Sequence, residues 1–191
     1  MKHIETNNIS AVEQFGFRTS SSTENASYKL TDDMLNALNN RTMVEGIFCD
    51  LQKALDCVNH NILLTKLEFY GITGITYKLI KSYLQGRYQR VVLNNHSSSS
   101  CSNWSEITHV PQGSIFGPLL FLLYINDLPQ ITNGNSKIVL FADDTSMIIT
   151  NTNPSNFEKG VNKIIQDINK WFNTNLLSLS LEKNTFHTIC G

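Results

Sequence analysis

Three aspartates are the residues of this sequence best placed to do chemistry. Asp143 and Asp144 are adjacent, between the apolar runs Ile138-Val-Leu-Phe-Ala142 and Thr145-Ser-Met-Ile-Ile149. Strand-forming runs that close together read as a hairpin, which puts both carboxylates at its tip. Neighbouring carboxylates repel one another unless a cation or solvent relieves the charge. An ordinary polar turn would also use Asp, and taken alone the pair reads that way. Asp50 ends a second apolar run, Gly46-Ile-Phe-Cys-Asp50, where a bare carboxylate is costly to bury. Capping a helix that begins at Leu51 is its competing use. If the strand of Asp50 lies beside the hairpin, three carboxylates meet at one sheet edge. Such a set of oxygen ligands suits hard divalent cations, and two ions about 3.5–4 Å apart would serve phosphoryl transfer.

Elements that could position these groups follow from hydrophobic periodicity. Helices are expected over Asn25 to Leu38, with Ser20-Ser-Ser-Thr23 as its cap, and over Ile62 to Tyr70 and Tyr77 to Leu84. Pro118 to Asn126 reads as a buried helix with Pro at the tolerated first position. Phe157, Val161, Ile164, Ile165, Ile168, Trp171 and Phe172 recur at helical spacing behind the cap-and-start pair Asn153-Pro154. That spacing assigns the aromatic residues to a buried face rather than to base stacking. Strands are expected at Val44 to Cys49, Gln89 to Leu93 and Thr185 to Cys190, besides the hairpin. Polar stretches at 94–100 and 132–136 read as loops. Hairpins mixed with helices predict an α+β fold with a largely antiparallel sheet.

Composition narrows the function. The 191 residues carry 15 Lys plus Arg against 16 Asp plus Glu, a net charge of −1. This excludes a uniformly basic protein that coats nucleic acid, since such binding needs many cations facing phosphates. Any contact with nucleic acid must therefore be local or chemical. Cys49, Cys57, Cys101 and Cys190 form no metal-binding pair, and the five histidines are scattered. Reduced thiols, with no apolar leader at the N-terminus, point to an intracellular setting. The longest apolar stretch, residues 118–125, is too short to span a membrane.

Five ordered blocks carry a family resemblance: Gln14-Phe-Gly-Phe-Arg18; Gly46 to His60, beginning Gly-Ile-Phe-Cys-Asp-Leu-Gln-Lys-Ala-Leu; Val110-Pro-Gln-Gly-Ser114 running on to Pro129; Phe141-Ala-Asp-Asp-Thr145; and Trp171-Phe172 through Asn175-Leu-Leu-Ser-Leu179 to Lys183. Together the blocks resemble the reverse transcriptase of non-LTR, LINE-like (jockey-type) retrotransposons. The resemblance implies a polymerase palm: an antiparallel sheet with an acidic hairpin and helices packed on one face. It implies an RNA-directed DNA polymerase using Mg2+, with Mn2+ possible, whose partners are an RNA template, a DNA primer and deoxynucleoside triphosphates, and no membrane.

By the same resemblance Asp50 is the metal ligand of the first acidic motif, Asp143 the second shared ligand and Asp144 its neighbouring carboxylate. The Leu51 carbonyl is a further ligand. Gln112 and Gly113 face the templating base and incoming nucleotide, and Lys183 assists the leaving pyrophosphate. Arg18, Arg87 and Arg90 are candidates for backbone contact, with an ordinary surface role the alternative for each. Leu55 stands where the family usually carries an aromatic residue that blocks a ribose 2′-hydroxyl. His109 replaces a usual Gly, and Ser180 and Asn184 replace a common Asn and Thr. The chain is expected to be a single partial domain over 1–191, the end of the fingers and the palm, without full fingers, thumb or endonuclease. Two alternatives stay open: an inactive remnant that at most binds nucleic acid or protein, and a general metal phosphohydrolase.

Overall fold

A computed structural model describes residues 4, 6–7, 9–51, 54–95, 98–107, 110, 113–132, 136–179 and 185–189, with backbone alone for 94–95, 98–99 and 185–189. The central feature is a four-stranded sheet built from β1 (Met43–Cys49), β6 (Ser136–Phe141), β7 (Asp144–Asn151) and β8 (Thr185–Ile189), in the order β6-β7-β1-β8. Each neighbouring pair is antiparallel. The helices are α1 (Thr23–Asn39), α2 (His60–Phe69), α3 (Gly74–Leu84), α4 (Phe116–Ile125) and α5 (Pro154–Thr174). Two small ribbons, β2 (Tyr88–Gln89) with β5 (Ser105–Glu106) and β3 (Val92–Asn95) with β4 (Ser98–Cys101), and a short 3-10 helix, Leu128–Ile131, complete the described elements.

Local signals account for the helix starts. Ser22 Oγ accepts from Asn25 N at the head of α1, Asn59 Oδ1 accepts from Asn61 N and Ile62 N before α2, and Asn153 Oδ1 accepts from Ser155 N before α5. Each bond satisfies an amide that a helix leaves without an internal partner. α4 begins two residues ahead of Pro118, so the proline sits in its first turn rather than at its first position. The Gln89 to Leu93 strand is divided between the two ribbons.

Strand alternation separates the two sides of the sheet. Ile47, Cys49, Met147 and Ile149 face a large core completed by Leu63, Leu67, Phe121, Tyr124, Ile164, Ile168 and Phe172 of α2, α4 and α5. Val44 and Ile148 face the other way and pack with Ala37, Leu30, Met34 and Leu38 of α1. Helices therefore cover both faces, not one. β1 is buried along most of its length, and a strand without a polar side needs cover on both faces. Burial of each large apolar side chain is worth roughly 1.5–3 kcal/mol, so the main core supplies most of the stability.

Lys66 ties three helices together behind the sheet. Its ammonium donates to Asp127 at 2.7 Å and to the Tyr124 carbonyl at 2.6 Å. It also lies 5.0 Å from the centre of the Tyr124 ring and 4.9 Å from that of Trp171. Burial lowers the Lys66 pKa, while Asp127 works to keep the group charged. Phe157, Phe172 and, in part, Trp171 are core residues, as their spacing predicts. No helix among the described residues is long and apolar enough to cross a membrane.

Candidate active site

The adjacency on which a carboxylate cluster depends is present. β1 and β7 pair with Cys49 opposite Thr145, so the next residue, Asp50, falls opposite Asp144 at the end of the sheet. Strands so paired lie about 4.8 Å apart. Phe141 pairs with Asp144, which makes the hairpin turn Ala142-Asp143. The expected Asp-Asp turn is thus displaced by one residue, and Asp144 is the first residue of β7. Asp143 and Asp144 are exposed and Asp50 is half-buried. Leu51 is held by an isolated antiparallel bridge to Leu179, and α2 starts only at His60 behind its own cap. Among the described residues Leu51 sits in that bridge and 54–57 form turns, so none of them belongs to a helix for Asp50 to cap.

The two adjacent carboxylates open on different clefts. Asp143 lines one of about 280 Å3, with Phe17, Ala54, Leu55, Pro118 and Phe121. Asp144 lines another of about 190 Å3, against Ala26, Ser27 and Leu30 of α1. Directing the side chains apart lessens their mutual repulsion, and it leaves Asp143 facing the same cleft as Leu55. Gly113, three residues before α4, has a φ of +75° and is exposed, with open space where a Cβ would stand. The backbone conformation thus favours glycine there, and a ligand can approach it closely. Gln112 and Lys183 lie outside the described residues, as does His109.

Asp50, Asp143, Asp144 and the Leu51 carbonyl are oxygen donors of the kind that suits a hard divalent cation. The neighbouring thiol, Cys49, is buried, which pushes its pKa up to about 11, and hard cations take oxygen ligands in preference to sulfur. Among the described residues no three carboxylate, imidazole or thiol side chains converge closely enough to hold an ion as they stand. The register therefore supplies the donors at one edge, without a preformed cage.

What holds the acidic turn is a segment whose role sequence reasoning missed. Ala142 has a φ of +55°, a left-handed conformation costing a non-glycine residue roughly 1–2 kcal/mol. Gln14, 3 % exposed, braces it: Gln14 Oε1 accepts from Ala142 N at 3.1 Å and from Gly16 N at 2.7 Å. Leu140 N donates to the Glu13 carbonyl and Phe15 N donates to the Leu140 carbonyl, so 13–15 run alongside the end of β6. Gly16 lies flat on the turn, where an added Cβ would stand 2.1 Å from Ala142 N. Arg18 stiffens the same loop by donating from Nη1 to the Ala11 and Gln14 carbonyls. One of its guanidinium nitrogens is thereby engaged internally rather than offered to a phosphate. The block Gln14 to Arg18 is visible in the sequence, but its contact with a turn 128 residues away is not.

An antiparallel sheet with carboxylates at a hairpin turn and at the end of the adjoining strand, backed by helices, is a polymerase palm. Solved structures share this fold. The apo telomerase from Candida tropicalis superposes with a TM-score of 0.69 over 98 % of this chain and 35 % of that one, at 12 % identity. The same telomerase truncated from its C-terminal domain gives 0.66 over 94 % and 36 %, at 14 % identity. The sequence model of the reverse transcriptase (RNA-dependent DNA polymerase) family matches residues 1–189, and the chain belongs to that family. It is 30 % identical over 171 residues to the probable RNA-directed DNA polymerase from transposon X-element of Drosophila melanogaster, covering 88 % of this chain and 18 % of that protein. Against the RNA-directed DNA polymerase from mobile element jockey of the same species, identity is 27 % over 176 residues, covering 89 % and 19 %. The chain thus spans less than a fifth of these relatives. It carries a reverse transcriptase domain, of a family that uses divalent metal ions, and the relatives named above are proteins of mobile elements.

Proposed function

We propose that this chain is the palm, with the end of the fingers, of an RNA-directed DNA polymerase that extends a DNA primer on an RNA template. The observation that carries the proposal is the register of β1 on β7, which brings Asp50 opposite Asp144 and beside the turn that holds Asp143. In the reaction the primer 3′-oxygen bonds to the α-phosphorus of a deoxynucleoside triphosphate. The bond to pyrophosphate breaks, and the hydroxyl proton passes to solvent. Asp50, Asp143, Asp144 and the Leu51 carbonyl would hold Mg2+, or Mn2+ in its place. When bound, the ions activate the attacking hydroxyl and offset charge on the leaving oxygens. Gln112 and Gly113 are assigned to the nucleotide and template base, and Lys183 to the pyrophosphate. Leu55, on the same cleft as Asp143, is assigned to the sugar.

Primer extension on an RNA template with Mg2+ or Mn2+ tests this reading. Extension by the chain that Asp143→Asn abolishes would support it, while equal extension by both forms would refute it. A second reading, an inactive remnant that binds nucleic acid, draws on the carboxylates' lack of convergence. It predicts no extension under either ion, with RNA binding retained.

A further inference from the structure

We propose that the arm formed by residues 87–95 and 98–107 is a docking surface for single-stranded RNA, with Trp104 and Arg90 as its base-stacking centre and Arg87 as a phosphate anchor. The choice of RNA rests on the polymerase reading above; the existence of a docking surface rests on the arm itself. Gln89 pairs with Ser105 and Val92 with Cys101. Two residues on one strand, 90–91, therefore oppose three on the other, 102–104. Such a bulge re-aims side chains out of the ladder, and here it brings the Arg90 guanidinium to 4.7 Å from the centre of the Trp104 ring. Ser102 fastens the bulge, its Oγ accepting from Val91 N at 2.9 Å. At the base of the arm Arg87 lies 5.3 Å from the Tyr83 ring.

Two further observations indicate that this surface has an occupant, and which one. Trp104 is 62 % exposed and Tyr88 60 %, beside the exposed Val91 and Leu93. The strands of the arm pack chiefly on each other, and a two-stranded ribbon is marginal by itself in water. Charge then selects the occupant. Residues 71–107 hold four of the chain's fifteen basic residues (Lys78, Lys81, Arg87 and Arg90) and one of its sixteen acidic ones, Glu106. The arm itself holds Arg87 and Arg90 against Glu106, a net +1; with Lys78 and Lys81 of the preceding α3 the stretch is +3, and the remaining eleven basic and fifteen acidic residues make the rest −4. Aromatic faces interleaved with arginines on a basic arm suit unstacked bases on a phosphate chain.

Fluorescence titration of the whole chain with an unstructured 15-nucleotide RNA tests the proposal. RNA is expected to quench the tryptophan emission, and Trp104→Phe to remove the quench, since the other tryptophan, Trp171, is half-buried against the main core. Trp104→Ala should weaken binding roughly tenfold, within the range for loss of one stacked base. Arg87→Ala, which removes the phosphate anchor, should lower the slope of log affinity on log salt by about 0.7, the value per phosphate contact on a single strand. Asp143→Asn should bind like the parent, so a chain that binds RNA through the arm yet never extends a primer would sink the polymerase reading and leave this one standing. No binding, unchanged affinity and salt slope in these variants, or tighter binding of DNA strands or duplexes would each overturn the docking surface.

Discussion

Two hairpins of this molecule end in opposite settings, one read from apolar runs and the other built partly from 94–95 and 98–100, which the sequence presents as a loop. β6 and β7 are joined by a two-residue turn and lie inside a four-stranded sheet with helices on both faces. Their turn is held from outside by Gln14 and Gly16. β3 and β4 belong to an arm whose strands have chiefly each other. The first hairpin presents carboxylates, and the second lies in the basic part of the chain. A net charge of −1 conceals this division, +3 over residues 71–107 against −4 elsewhere. Charge summed over a chain says little about nucleic-acid contact when its two signs are unevenly distributed along it. The acidic edge suits cations at a reaction centre, and the arm suits the strand that is read.

Variants can break this comparison on either side. The largest effect after loss of Asp143 is expected from Gly16→Ala. Its methyl group would collide with the Ala142 backbone and force the acidic turn to shift, so extension should fall roughly a hundredfold, as for misplacement by about 1 Å. RNA affinity, a property of the arm, should stay within twofold; parallel losses of both would undo the separation. Gln14→Met should act on the same turn, removing an acceptor shared by two buried amides at a cost of roughly 1–3 kcal/mol. Extension is expected to fall with the Mn2+ requirement raised, and an unchanged metal dependence would remove Gln14 from the site.

Leu55→Phe sharpens the assignment of the Asp143 cleft. Ribonucleotide incorporation should drop several-fold relative to deoxynucleotide incorporation, and an unchanged ratio would detach Leu55 from the sugar. The smallest effect belongs to Asp33, far from the arm. Burial opposes ionisation of its carboxylate, but hydrogen bonds from Lys137 at 2.6 Å and Lys29 at 2.9 Å outweigh this and hold its pKa below the ordinary 3.8. A lowered folded-state pKa contributes stability that is present above about pH 4 and lost as pH falls through the lowered value. Asp33→Asn should cost about 1–2 kcal/mol at neutral pH, discounted for the exposure of both lysines. It should also flatten the acid limb of a denaturation curve, and an unaltered limb would contradict the sign.

Much of the fold is legible in the sequence, because caps and periodicity are local. Ser22 and Asn153 begin the helices they precede, and the spacing from Phe157 to Phe172 marks the buried face of α5. The site is legible in part. Asp50 and Asp143 stand out by type, but whether their strands touch is a long-range fact that only the β1–β7 register supplies. Sequence spacing misplaced the turn by one residue because Asp144 is polar yet belongs to the ladder. Gln14 was missed for a stronger reason: a buried glutamine with a distant backbone partner has no periodic signature. The cover on both faces of β1 and the bulge at Arg90 and Trp104 are likewise set by pairing rather than by local pattern.

The central claim is that the acidic edge performs nucleotide transfer while the basic arm holds the template. Primer extension and RNA binding measured together on Asp143→Asn and Trp104→Ala test it most directly. Asp143→Asn should abolish extension with RNA affinity unchanged, and Trp104→Ala should weaken RNA binding and extend normally once RNA is saturating. Extension that survives in Asp143→Asn, or a Trp104→Ala defect that saturating RNA does not relieve, would contradict the account.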